Sequence, residues 1–234
     1  MKKFKSLILA FVAIVSISVV KAQSVDEIVD KYIQAMGGKQ KLSSLQTVKM
    51  TGSLNSMGNE VSLVITRKNL VGSRIDFSIA GTENYQIVTP AKGIVFMPIQ
   101  GMSEPTEMPE RDYKSGQTQM DIQSPLLNYK EKGNLVELLG TEKVDNEDSY
   151  KLKLTYKNGI VTNYFISVKV NRVIKTTGKR VVNGEELDVE TRLSNYKQNA
   201  DGYWFAYTIT SSIQGETNLE KIETNISVDE NIFK

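Results

Sequence analysis

The stretch from Tyr150 to Tyr156 sets the terms for the fold. Tyr150, Leu152, Leu154 and Tyr156 alternate with Lys151, Lys153, Thr155 and Lys157. A period of two is that of an extended strand with one face against an apolar environment and the other in water. The pattern recurs along most of the chain. Val48, Met50 and Leu54 alternate with Lys49, Thr51 and Ser53; Val61, Leu63 and Ile65 follow the Gly58-Asn59 turn. Ile75, Phe77 and Ile79 alternate with Arg74, Asp76 and Ser78, Tyr85 and Ile87 precede Pro90, and Ile94 to Met97 is a short apolar run. Later come Leu187, Val189 and Leu193, then Tyr203, Phe205, Tyr207 and Ile209, with Ile222, Ile226 and Val228 closing the series. Asn158-Gly159 and Asn183-Gly184 are strong hairpin signals. The count is roughly ten to eleven strands in sequential antiparallel order, with no solenoid repeat.

Two segments depart from this pattern. Ser24-Val25-Asp26-Glu27 has the spacing of a capping box, and Ile28, Val29, Tyr32, Ile33 and Met36 then share one helical face up to Gly37-Gly38. The other departure is Pro98 to Leu127, which holds four of the five prolines (Pro98, Pro105, Pro109, Pro125) and three exposed-looking methionines, Met102, Met108 and Met120. Proline breaks ladders and helices, and methionine adapts its shape to what it touches. The segment reads either as a long surface connection or as a flexible cover over an apolar surface. Loops beyond roughly 12–15 residues are uncommon without a function or disorder. Pro109-Glu110-Arg111-Asp112 can start one short helix and Ser124-Pro125 a second, running to Gly133. Neither would be stable alone in water, so each must dock on the sheet.

A sheet of this many strands curls or splits into two layers, because its twist accumulates. Hairpin-linked neighbours favour a single curled sheet, although a packed sandwich gives nearly the same alternation. With so few helices to fill a concave side, a curled sheet would keep an apolar groove.

The N-terminus reads as an export signal: Met1-Lys2-Lys3-Phe4-Lys5, an apolar run from Leu7 to Val20, and cleavage expected after Ala22. The apolar run falls short of the ~20 residues a spanning helix needs. The chain carries a net +2, but Lys2, Lys3, Lys5 and Lys21 lie in the signal, so the mature part is slightly acidic. No basic cluster interleaved with aromatics remains, which gives nucleic-acid binding no support. The chain has no Cys and no His. That excludes disulfides, thiolate chemistry, a Ser-His-Asp triad and His- or Cys-ligated metals, and no metal or other cofactor is implied. The mature residues, 23–234, suffice for one domain.

Several stretches together resemble the periplasmic outer-membrane lipoprotein carrier (LolA-like) family. They are the capped helix ending Met36-Gly37-Gly38-Lys39-Gln40-Lys41-Leu42, the strand Gln46-Thr47-Val48-Lys49-Met50-Thr51-Gly52, Leu139-Gly140-Thr141-Glu142, the Tyr150–Tyr156 strand and the closing Asn225 to Phe233. The resemblance implies a mainly β fold: an incomplete, strongly curled antiparallel barrel, with helices and a lid segment (98–130) over an apolar cavity. It implies a periplasmic carrier of lipid or lipoprotein acyl chains, served by an inner-membrane release complex and an outer-membrane acceptor. It also implies a cavity-side arginine that ties the lid, for which Arg74 and Arg67 are the candidates. Where many relatives turn at a Gly-x-x-Pro element, this chain has Gly202-Tyr203-Trp204-Phe205.

On this reading Met50, Leu63, Ile65, Ile75, Phe77, Tyr85 and Phe96 are the expected cavity residues, and Met102, Met108, Leu126 and Leu127 the expected lid residues. Two other classes stay open. A carboxylate-only glycan hydrolase would draw on Asp145, Glu147, Asp148, Glu185, Glu186, Asp188 and Glu190, whose spacing is that of turns and solvated strands. A non-carrier envelope interaction module would bind along a sheet edge and have a filled concave face.

Overall fold

The computed structural model describes residues 23–56, 58–182 and 185–234. The expected export signal (residues 1–22) and the Asn183-Gly184 turn lie outside the described residues. The chain forms one mainly antiparallel β structure from thirteen strands: β1 (Thr47–Ser56), β2 (Asn59–Lys68), β3 (Gly72–Ile79), β4 (Thr82–Val88), β5 (Gly93–Phe96), β6 (Thr106–Glu107), β7 (Leu135–Val144), β8 (Glu147–Thr155), β9 (Val161–Ser167), β10 (Val173–Val182), β11 (Glu185–Gln198), β12 (Trp204–Ser211) and β13 (Gly215–Thr224). Among the described residues three α-helices accompany them: α1 (Val25–Ala35), α2 (Lys39–Ser43) and α3 (Glu110–Gln117). Short 3-10 turns lie at Pro98–Gln100 and Glu230–Phe233.

All thirteen strands belong to a single open sheet in the order β6-β5-β4-β3-β2-β1-β13-β12-β11-β10-β9-β8-β7. The first strand therefore pairs with the last, and the two margins are β6 and β7. The sheet must bend strongly. Helix α3 touches β4 and β5 as well as β10. On a flat sheet β4 and β10 would lie roughly 33 Å apart, whereas eight helical residues span ~12 Å. Bulges between Thr51 and Gly52, between Val173 and Lys175, and between Leu138 and Gly140 increase the local twist that produces this bend. Gly52 is required at its bulge, since a Cβ there would fall 2.1 Å from the Asn218 carbonyl oxygen.

Helix α1 forms where the sequence signals it. The Glu27 amide donates to Ser24 Oγ (3.2 Å) and the Ser24 amide donates to Glu27 Oε2 (3.1 Å), closing a capping box. Ile28, Val29, Tyr32 and Ile33 are buried and pack with Val136, Leu152, Leu154 and Ile166 of β7–β9. Leu126 and Leu127 join this cluster, and Tyr129 Oη donates to Asp26 Oδ1 (2.7 Å) across it. The opposite face of this half is closed differently. Phe165 is buried beneath Lys175 and Lys151, whose ammonium groups lie 4.2 and 5.2 Å from its ring centroid.

The structure departs from the sequence expectations in four places. There are thirteen strands because β6 is only two residues long and β10 lacks apolar alternation on one side, where Thr176, Gly178 and Arg180 stand. The second short helix does not form. Residues 124–133 are a series of turns, with Ser124 (φ 85°) and Asn128 (φ 51°) left-handed, and helix cannot propagate through such residues. Met120 is buried rather than exposed. Finally, β13 ends at Thr224, so Ile226 and Val228 do not extend it.

The packing around α1 makes a test possible. Leu126→Ala and Leu152→Ala remove fully buried side chains and should each lower stability by about 2–5 kcal/mol. Met102→Ala, at a half-buried position outside either core cluster, should cost under about 1 kcal/mol. Urea midpoints at unchanged m-value check the contrast.

Candidate functional site

Strand register sorts every side chain onto one of the two faces of the bent sheet. Met50 faces Ile65 and Ile222, Ile65 faces Ile75, and Leu63 faces Phe77. These residues occupy the concave face with Phe205, Tyr207, Ile209 and Leu219, and form a second apolar cluster separate from that around α1. Five of the expected cavity residues, Met50, Leu63, Ile65, Ile75 and Phe77, are therefore brought together.

Tyr85 and Phe96 are not. Tyr85 pairs with Asp76 and with Phe96, and the two rings stack at 5.4 Å on the opposite face. The concave positions of β4 are Asn84, Gln86 and Val88. Apolar parity failed as a guide here because this outer surface is itself covered. Phe233 lies against Gly72, where a Cβ would meet its ring at 2.5 Å, and Ile87 is 1% exposed. Arg74 belongs to the same outer face. It pairs with Asp76 (2.7 Å), donates to the Ile232 carbonyl (3.2 Å) and sits 4.3 Å from the Tyr85 ring centroid.

The two halves of the concave face are covered unequally. One half is packed by α1 together with Leu126 and Leu127, which makes those two leucines permanent core rather than a detachable lid. Over the other half pass α3 and the residues after it, and only Ile122 from this segment joins the apolar cluster. Helix α3, sequence ERDYKSGQ, has no buried residue. It is held largely at its ends and by small-residue contacts. Gln117 Nε2 donates to the carbonyls of Thr89 (3.1 Å) and Pro90 (3.0 Å), and Asn158 Nδ2 donates to that of Lys114 (3.4 Å). Gly93 and Gly116 let Tyr113 and Val88 approach closely: a Cβ at Gly93 would lie 2.4 Å from Tyr113 Cβ and 2.9 Å from Met108 Sδ. Met108 thus flanks α3, while Met102 lies half-buried ahead of it.

Arg67 is the arginine that faces this segment. Its Nη2 donates to Gln119 Oε1 (2.6 Å) and its Nε to Ser73 Oγ (3.2 Å). Burial, and then the charge of Arg180 across the hollow, push its pKa down to about 10. Burial also lowers that of Arg180. Next to them the segment is anchored by a polar knot. Tyr156 and Tyr164 share a hydrogen bond of 2.8 Å, Tyr32 Oη donates to Ser124 Oγ (3.2 Å), and Lys132 pairs with Asp121 (2.7 Å). Desolvation raises the Tyr156 hydroxyl to about 12, so the tyrosine pair stays neutral at ordinary pH. Two clefts open beside these regions, the first of them lined in part by Tyr207 and Ile222 of the apolar cluster. One, of about 510 Å³, opens where β12 and β13 part beside Asn199; the other, of about 440 Å³, runs between α1 and residues 126–131.

Sequence reasoning missed Arg180, Gln119 and the concave residues of β12 and β13. The alternation of Phe205, Tyr207 and Ile209 is plain, but its side of the sheet follows only from the long-range β1–β13 pairing. Arg180 has no signal at all between Gly178 and Val182.

Solved structures of the same architecture exist. A LolA superfamily protein from Nitrosomonas europaea superposes with a TM-score of 0.56 at 16% identity, over 91% of this chain and 98% of its own. A putative outer membrane lipoprotein-sorting protein domain from Vibrio parahaemolyticus gives 0.52 at 16% identity, over 88% and 94%. The fold is LolA-like. No protein-family model matches the sequence, and no curated protein matches it. The LolA-like sheet is open and unclosed, in agreement with the incomplete barrel expected from the sequence.

Loss of the Arg67–Gln119 contact is directly measurable. Arg67→Met removes a charge-assisted hydrogen bond of about 1.5–3 kcal/mol. It should speed hydrogen exchange of the amides at 118–122 about tenfold or more. The α1 amides should keep their protection.

Proposed function

We propose that the protein carries acyl chains of lipids or lipoproteins, seating them on the Leu63–Phe77 half of the concave face beneath α3. One observation carries this reading: an apolar cluster on the concave face receives only Ile122 from the segment that crosses it, and α3, the polar helix of that segment, has no fully buried residue. A surface covered so thinly can be uncovered cheaply. Among the contacts that hold α3 are a few side-chain hydrogen bonds, each worth about 0.5–1.5 kcal/mol net, beside the close approaches at Gly93 and Gly116. An acyl chain entering from water gains ~0.8 kcal/mol for every buried CH₂. Ten methylenes outweigh those hydrogen bonds.

In this reading Arg67 ties the segment to the sheet through Gln119, and Met102 and Met108 supply adaptable contacts beside the chain. Leu126 and Leu127 hold the far end of the segment fixed, so opening pivots about the α1 core. The likeness to a lipoprotein-sorting domain and the signal-like N-terminus support work in the cell envelope, after export and cleavage after Ala22. An inner-membrane complex would load the carrier and an outer-membrane acceptor would empty it. The reaction is transfer without covalent chemistry. Of the carboxylates available for hydrolysis, Glu186 pairs with Lys179, and Asp145 and Glu190 with Arg192.

A second reading has one observation in its favour. β7 is a margin of the sheet, and Leu135 and Leu139 on it are 57% and 52% exposed. A partner strand could add there, and the concave face would then be mere core.

Uptake of a fluorescent fatty acid separates the two. The wild type should bind it, and Leu63→Glu should abolish binding while circular dichroism still reports the sheet. Native mass spectrometry of extracts should find acyl species on the wild type only. Unaltered binding by Leu63→Glu would put the ligand elsewhere.

A further inference from the structure

Arg67 and Arg180 both stand on the concave face. Arg67 faces Val48 and Ser73 in register, and Arg180 faces Leu187 two positions along from the Gly178–Thr162 pair. On a flat sheet their strands, β2 and β10, would lie roughly 24 Å apart. The bend that lets α3 touch both β4 and β10 turns β2 and β10 towards one another across the concave side, and the charge of Arg180 acts on Arg67. Neither forms an ion pair with a described residue. Arg67 spends two of its donors, on Ser73 and Gln119, and Arg180 makes no hydrogen bond to the described residues. The acids of this region form no ion pair with them. Asp121 is taken by Lys132, Asp112 of α3 keeps a buried Oδ1 without a hydrogen-bond partner, and Glu185, on the same face as Arg180, is exposed.

Two partly desolvated cations on one concave face, neither of them ion-paired, are costly. Proteins keep such groups buried when they are paired, and a guanidinium presents donors in a fork that fits carboxylate and phosphate oxygens. The apolar row of Leu63, Ile65, Ile75 and Phe77 begins on the same strands as Arg67 and Ser73. An amphiphile could then lay its chain along that row with its charged end at the arginines.

We propose that Arg67 and Arg180 form a binding site for the anionic end, carboxylate or phosphate, of an acyl-chain ligand. The proposal rests on the carrier reading and narrows it. The acyl-bearing end of a lipid-modified cysteine carries no negative charge, so the site selects a free anionic lipid over a lipoprotein.

The test compares cis-parinaric acid with its methyl ester at pH 8, where the acid is ionised and the chains are otherwise the same. Wild-type protein should bind the acid about tenfold or more tighter than the ester. Arg180→Met and Arg67→Met should each bring the ratio close to one, and Arg180→Lys should keep part of it. Arg180→Met should also raise the melting temperature of the ligand-free protein, which loss of a purely structural arginine would lower. Displacement of the probe by lysophosphatidic acid, and not by millimolar inorganic phosphate, assigns the anion to a lipid. Displacement by inorganic phosphate alone overturns that assignment. Equal binding of acid and ester by the wild type would overturn the anion site and leave the carrier intact. Binding of neither would remove both.

Discussion

An eight-residue helix that touches strands seven places apart can do so only if the sheet between them bends back on itself. That constraint organises the rest of the molecule. The margins of the sheet, β6 and β7, are consecutive strands in the chain. The segment joining them must therefore cross the open side of the bend, whatever its sequence. Its prolines and its left-handed Ser124 and Asn128 suit a path that can enter no ladder. The crossing is a consequence of topology before it is a device for covering anything.

Bending also has a cost in the wall. The β12–β13 ladder holds only from Thr208–Asn218 to Ser211–Gly215, and beyond it the strands part. Asn199 fills the gap, donating from Nδ2 to the Ile222 carbonyl (3.2 Å) and to Thr224 Oγ1 (3.1 Å), while its Oδ1 accepts from the Tyr203 amide (2.9 Å). A buried amide that meets three partners replaces the missing ladder bonds, so the sheet parts without leaving these backbone groups unsatisfied. The same end is pinned by Lys41, which donates to the Asp201 carbonyl and lies 4.2 Å from the Tyr203 ring centroid.

Much of this was legible in the sequence, for physical reasons that can be named. The strands on which one face is apolar and the other polar, such as Tyr150–Tyr156, announced themselves through their period. The capping box at Ser24–Glu27 marked α1 because its hydrogen bonds are local. What could not be read was the side on which a strand's apolar row lies. Tyr85 and Phe96 carry the same alternation as Phe77, yet they lie on the outer face, beside Arg74, instead of in the hollow. Alternation reports that a face is covered and is silent about what covers it. Arg180 was invisible for the complementary reason: its strand puts Thr176, Gly178 and a charge on the concave side, where a period of two has nothing to show.

The division of the concave face explains how one sheet can be both firm and accessible. Around α1 the apolar side chains of helix, sheet and turn interlock, and the stability of the fold is concentrated there. Around Leu63 and Phe77 the sheet contributes nearly everything and the covering segment little beyond Ile122. Helix α3 itself adds no residue to either apolar cluster, while Leu126 and Leu127 fix the far end of the segment in the first half. The free energy of holding the fold and the free energy of closing the hollow reside in different side chains, so the second can be small without endangering the first.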